Sequence, residues 1–206
     1  EIVKIALSVN HPQLAAHLTN LANLYCYQGR YSKAEPLFQQ AIEIVKIALS
    51  VNHPQLAAHL NNLANLYCYQ GRYSEAEPLY KQAIEIKKVA LPANHPSLAT
   101  NLNNLANLYC YQGRYSEAEP LFQQAIEIIK IALPANHPSL VTGLKNLANL
   151  YRYQGRYSEA EPLCQQALDM CEQTLGQEHP TTIKVQENLQ RCRQQLLERG
   201  SEGAGE

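Results

Sequence analysis

Between Leu14 and Tyr25 the apolar residues Leu14, Leu18, Leu21 and Tyr25 fall three and four positions apart, the spacing of one face of an α-helix. Pro12 suits the first turn of that helix, where its absent N–H costs nothing. Gly29 stands where a left-handed residue commonly ends a helix. Beyond Gly-Arg-Tyr, Ser32-Lys33-Ala34-Glu35 has the form of a capping box, which recurs at Ser74, Ser116 and Ser158. Leu37, Phe38, Ala41, Ile42, Val45 and Leu49 then trace a second apolar face, with Pro36 close enough to its start to be tolerated. The pattern predicts helices near 12–28 and 33–50, the later copies of the second ending at Pro92 and Pro134.

This pair is a repeating unit. His-Pro occurs at His11, His53, His95, His137 and His179, always 42 residues apart, and residues 10–51 and 52–93 agree at 34 of 42 positions. A helix of about 17 residues is roughly 25 Å long, and one amphipathic pair cannot bury both its faces, so neighbouring pairs must stack. The expected fold is therefore all-α, a right-handed superhelical solenoid. Residues 1–9 form the tail of a truncated preceding repeat, since residues 1–10 are identical to 43–52. Repeats follow at 10–51, 52–93, 94–135 and 136–177. In the fifth unit the counterparts of Leu18, Ala22 and Tyr25 are Gln186, Gln190 and Arg193. A terminal repeat needs a polar outer face, so 178–199 reads as a capping helix and 200–206 as a disordered tail.

Opposite the apolar face runs a polar stripe. With Ala16 at zero and 100° per residue, Asn20, Asn23 and Tyr27 fall within about 40° of it, facing away from Leu14, Leu18, Leu21 and Tyr25. Asn62 and Asn65, Asn104 and Asn107, and Asn146 and Asn149 continue the stripe, with Tyr69, Tyr111 and Tyr153 beside them. Asn costs roughly 0.5 kcal/mol per helical site against Ala, so eight cost on the order of 4 kcal/mol. An amide both donates and accepts, which suits a ladder gripping an extended peptide backbone. The other reading is that these Asn bond between neighbouring helices. Flanking positions vary more: Thr19, Asn61, Asn103 and Lys145 form one series and Cys26, Cys68, Cys110 and Arg152 another, both turning basic only in the fourth repeat.

The spacing of Leu18, Leu21-Ala22, Tyr25, Gly29, Tyr31, Ala34, Phe38 and Ala41 resembles the tetratricopeptide signature, and the 42-residue period resembles its kinesin light chain subtype, as do NHPSLATNLNNLANLY and GRYSEAEPLFQQAIEI. The resemblance implies that small Ala22, Ala34 and Ala41 sit where helices approach most closely. It also implies that the Asn and Tyr positions of the first helices line a concave groove for a protein or peptide ligand.

Composition narrows the chemistry. With 17 Lys+Arg against 18 Asp+Glu the net charge is −1, which argues against nucleic acid as a partner. No apolar run is long enough for a membrane helix. Asp169 is the one aspartate, the recurring glutamates read as caps, and the recurring histidines as helix-entry residues; His17 and His59 read as surface or packing residues. No phosphate loop, nucleophile elbow or metal motif occurs, so neither enzyme activity, cofactor nor metal is expected. Cys26, Cys68 and Cys110 lie one repeat apart, too far for a disulfide, and all six cysteines read as free thiols of a cytoplasmic protein. Ile2, Val3, Ile5, Ala6 and Leu7 offer an apolar N-terminal end through which copies could self-associate. A further alternative is a sensor array of a larger protein.

Overall fold

The computed structural model describes residues 11–202. Among them are nine helices and no strand: α1 (Pro12–Tyr27), α2 (Tyr31–Ala48), α3 (Pro54–Tyr69), α4 (Tyr73–Ala90), α5 (Pro96–Tyr111), α6 (Tyr115–Ala132), α7 (Pro138–Tyr153), α8 (Tyr157–Leu175) and α9 (Pro180–Glu202). The helices form two compact units, divided between Leu108 and Tyr109. In the first, α1 packs on α2, α2 on α3 and α3 on α4; in the second, α6 packs on α7, α7 on α8 and α8 on α9. Each is a run of helix pairs in which the second helix of one repeat meets the first helix of the next. The expected self-association segment, residues 1–9, lies outside the described residues.

Local chemistry explains the boundaries. Each first helix begins at Pro, and the preceding His turns its ring into the cap. Nδ1 of His11 accepts from the Gln13 N–H at 3.2 Å, and His53, His95, His137 and His179 do the same two residues on. Accepting in this way, these rings are helix caps. At the far end Gly29 has φ 70°, its N–H donates to the Cys26 carbonyl and the Arg30 N–H reaches back to Tyr25 at 2.8 Å. That pair of bonds is the Schellman closure, and only Gly enters its left-handed residue without strain.

The second helices begin earlier than the capping box implies. Arg30, Arg72, Arg114 and Arg156 are the N-cap residues of α2, α4, α6 and α8, with no side-chain cap bond, and Ser32 lies inside α2. Glu35 does not reach back to its own helix start: it accepts from the Tyr67 hydroxyl at 3.0 Å and from Arg72 at 2.8 Å, both in the next repeat. Glu119 is held in the same way by Tyr151 at 2.9 Å and Arg156 at 2.6 Å. Arg156, and the hydroxyl of Tyr151, keep its carboxyl below the usual carboxylate range. The reason is geometric. The Schellman closure already turns the chain at Gly29, so the helix starts at Tyr31 and the glutamate points outward to the following repeat.

The core is built as the apolar pattern requires. Ala22, Ala34 and Ala41 are fully buried, as are the large residues Phe38, Leu56, Leu66 and Tyr80 of the first unit and Phe122, Leu144 and Leu150 of the second. No described helix is long and apolar enough to cross a membrane. The C-terminal helix runs further than expected: α9 continues to Glu202, so residues 200–202, read from sequence as disordered tail, are helical.

Candidate peptide-binding face

On each first helix the face left uncovered is the one carrying amides and tyrosines. Asn20 is exposed, Asn23, Asn62, Asn65, Asn104 and Asn107 of the first unit are half-buried, and so are Asn146, Asn149 and Lys145 of the second. The tyrosines stand clear of the core: Tyr27 is 90% exposed, Tyr69 66%, Tyr111 68% and Tyr153 70%. In the first unit Asn23, Cys26, Tyr27, Tyr31, Asn62, Asn65 and Tyr69 enclose a cavity of about 500 Å³ floored by Phe38 and Leu66. Tyr31 and Tyr69 stack there with centroids 6.3 Å apart and planes 16° from parallel.

The amides divide into two groups. Those of Asn23 and Asn62 face the cavity and make no side-chain hydrogen bond among the described residues. Asn65 is committed, its Oδ1 accepting from the Tyr80 hydroxyl at 2.5 Å. Asn104 is committed too, donating to Asn61 Oδ1 at 3.0 Å. Asn61 and Asn103, expected at the groove, are instead buried at 8% exposure between helices. A first helix with a repeat on either side is covered over more of its circumference than a single apolar face implies, and position 61 falls under the neighbouring helix. Both are corrected to packing residues. His59 likewise turns inward, its Nδ1 2.8 Å from Thr19 Oγ1.

The corresponding cavity of the second unit, about 400 Å³, lies against α9. Asn149, Arg152, Tyr153 and Tyr157 line it with Arg191, Gln194 and Gln195. Arg152 donates to Asn149 Oδ1 at 3.1 Å. Tyr31, Tyr157, Arg191, Gln194 and Gln195 were not read as site residues. Arg191 could have been found, because it stands three 42-residue periods beyond Asn65.

The thiols are not poised for chemistry. All six are free. Burial pushes Cys110 up to about 11 and Cys164 up to about 12, and raises Cys26 and Cys68 as well, so they stay protonated near neutrality. Among the described residues no group of His, Cys, Asp and Glu is arranged to hold a metal.

Stacked helix pairs, Schellman closures and an open amide-and-tyrosine face define a helical-repeat protein. The chain belongs to the tetratricopeptide repeat family: one model of that description matches residues 1–47, 13–88 and 55–131, and a second matches 142–181. No curated protein sequence matches it. Among solved structures it is similar to a Podosopora anserina protein provisionally assigned as a kinesin light chain with nearly identical TPR-like repeats. Identity is 30%, over 93% of this chain and 90% of that one, with a TM-score of 0.80; a single-substitution variant of the same protein gives 0.81. BtubC (BKLC) from P. vanneervenii shares the fold at TM-score 0.81 and 24% identity, covering 90% of this chain and 74% of that one. The repeats are of the kinesin light chain-like type. Repeats of this family generally mediate protein–protein interaction.

Proposed function

We propose that this chain is a non-enzymatic interaction scaffold whose first-helix faces bind an extended polypeptide segment. One observation carries the reading. The amides of Asn23 and Asn62 are left without side-chain partners beside Tyr27 and Tyr69, in a cavity wide enough for a side chain. An unpaired amide that both donates and accepts matches a peptide group, and an exposed tyrosine supplies rigid apolar area at low entropic cost.

The test is selection of peptides from a displayed random library by the whole chain, followed by affinity measurement on a selected peptide. Asn23→Ala together with Asn62→Ala should weaken binding about ten-fold, since two lost hydrogen bonds at roughly 0.5–1.5 kcal/mol each amount to that much. Alanine at Gln40, Gln82 and Gln124, exposed on the second helices, should leave affinity unchanged. Undiminished affinity in the double Asn variant would overturn the reading. Self-association is the second reading, resting on the apolar residues Ile2, Val3, Ile5, Ala6 and Leu7. Sedimentation at increasing concentration separates it from peptide binding.

A further inference from the structure

In the last helix pair two core positions have lost their bulk together. The second-helix position held by Phe38, Tyr80 and Phe122 is Cys164 in α8. The first-helix position that follows it, held by Leu66, Leu108 and Leu150, is Cys192 in α9. Phe38 and Leu66 together floor the first cavity, and all six of those earlier residues are buried. The two cysteines are buried as well, and their Sγ atoms lie 3.9 Å apart across the junction of α8 and α9. A ring and a leucine have thus given way to two thiols in contact. Cys171, also buried, is two turns or about 10 Å along α8 from Cys164.

A guanidinium stands beside the pair. Arg152 of α7 occupies the position that Cys26, Cys68 and Cys110 hold in the earlier repeats, and its Nε is buried with no hydrogen-bond partner. Burial raises both thiols, Cys164 to about 12, while the Arg152 charge draws each of them the other way. Glu161, the carboxylate that acts on both, is held by Arg193 at 2.9 Å. With α9 seated, the two sulfurs are therefore protonated and shut from solvent, and neither reacts. But α9 is the last helix of the array, packed on α8 through the narrow strip of Thr182, Val185, Leu189 and Cys192. Terminal elements of a repeat array open at less than the cost of global unfolding. Lifting α9 brings Cys164 into water and relieves the burial that holds its proton. The guanidinium that favours its thiolate stays beside it on α7.

We propose that Cys164 and Cys192 are a dithiol modification site, which a small-molecule disulfide converts to a cross-link that holds α9 on α8. The Cys164 thiolate attacks one sulfur of the reagent, leaving a mixed disulfide on Cys164 and releasing one small thiolate. As α9 returns, the Cys192 thiolate attacks Sγ of Cys164, forms the protein S–S bond and releases the second small thiolate. The two protons given up by the cysteines go to the two released thiolates. Two protein thiols are oxidised and one reagent disulfide is reduced. The sulfurs must close from 3.9 Å to about 2.05 Å, which rotation of both side chains and a small shift of a terminal helix can supply. Cys192 adjoins Arg191 and stands one turn before Gln195, so the bond also fixes the α9 wall of the second cavity.

The experiment incubates the whole chain with oxidised glutathione a few degrees below its melting temperature, where α9 opens most readily. Remaining thiols are then blocked, and the protein is digested without reductant for mass spectrometry. The expected product is a chain lighter by two hydrogens that yields one linked pair of peptides, carrying Cys164 and Cys192. The bond closes a span of 28 residues, so the melting temperature should rise by on the order of 10 °C and fall back when dithiothreitol is added. Cys164→Ala and Cys192→Ala should each lose both the linked pair and the rise, with circular dichroism showing that the helices are retained. Cys171→Ser should keep both. The parent chain decides the matter even if a variant fails to fold. A glutathione adduct that persists on Cys164 beside a free Cys192, a link to Cys171 in place of this one, or two thiols still free after the incubation would each overturn the proposal. A linked pair with an unchanged melting temperature overturns it too, because α9 is then not held by the bond.

Discussion

In the first unit the contacts between successive repeats bury polar groups. Thr19 Oγ1 meets His59 Nδ1 at 2.8 Å, and the Lys87 ammonium, 7% exposed, donates to the Ser97 carbonyl at 2.7 Å and to Asn101 Oδ1 at 2.8 Å. In the second unit the positions matched to Lys87 and Asn101 are apolar. Lys87 becomes Ile129, Asn101 becomes Gly143, and the α7 backbone lies so close to α6 that a Cβ on Gly143 would stand 2.9 Å from Ile126 Cγ1. The two solutions cannot be exchanged one residue at a time. Lys87 opposite a glycine would be a buried charge with no side-chain partner, and a side chain in place of Gly143 would collide with Ile126. Repeats that agree at 34 of 42 positions have little else to stop a helix pair from docking one period out of place. Mismatched junctions of this kind favour a single register.

The sharpest way to break the comparison is Asn101→Leu. It leaves Lys87 with the Ser97 carbonyl alone, and taking a hydrogen-bond partner from a buried group costs about 1–3 kcal/mol, more when the group is charged. Chemical denaturation should show the loss. Adding Lys87→Ile, the residue the second unit uses, should recover most of it. An unchanged midpoint in the single variant would mean that Lys87 escapes to solvent.

Next in size is a pH effect confined to the first unit. Burial holds Lys87 at about 8, against 10.5 when unperturbed. Between those values the unfolded chain binds a proton that the folded chain has given up, so the Lys87 contribution to stability rises with pH from about 8 to about 10.5. The full span corresponds to about 3 kcal/mol. That contribution should be missing from the Lys87→Ile profile, in which the buried thiols, raised above their usual range, are left to lower stability as pH rises. On the acid side burial lowers His59 below 6.5. Its contribution is therefore intact above 6.5 and is lost as pH falls below that value, and His59→Asn should remove this part of the profile.

In the second unit the corresponding break is Gly143→Ala. Overpacking against Ile126 costs about 1–3 kcal/mol, and the ordinary gain of about 0.5–1 kcal/mol for replacing a helical glycine offsets part of it. Ile126→Ala beside it, which removes the clashing Cγ1, should relieve the contact. A double-mutant cycle reads the coupling directly, and additive effects would show that the two residues do not press on one another.

What could be read from the residues was whatever lies within one repeat. Pro12 and Gly29 mark helix ends through their own backbone limits, and the 42-residue period is visible without any structure. What could not be read lies between repeats. Ser32 and Glu35 have the spacing of a capping box, yet Glu35 bonds Tyr67 and Arg72, more than thirty residues away. A helical wheel gives each helix one buried face. The first helices of inner repeats have neighbours before and behind, which is why Asn61 and Asn103 went inside. Lys87 stands where its counterparts are Val45 and Ile129, a core position by pattern, but the Ser97 carbonyl and Asn101 amide that receive its ammonium come from the next repeat and leave no mark in the spacing.

The smallest effect asks which amides of the stripe are structural. Asn62 makes no side-chain bond among the described residues, so Asn62→Ala should hold or raise the melting temperature, alanine being better in a helix by about 0.5 kcal/mol. Asn104→Ala gains the same propensity. It also strips the buried Oδ1 of Asn61 of its donor, and an orphaned buried acceptor costs about 1–3 kcal/mol. The two substitutions are chemically identical, on equivalent positions of consecutive repeats, and should differ by about 1–3 kcal/mol, in opposite directions from the parent. Calorimetry on the two variants decides it. Equal stability would place both amides in the same role, and a fall for Asn62→Ala would move the whole stripe from binding a partner to holding the helices together.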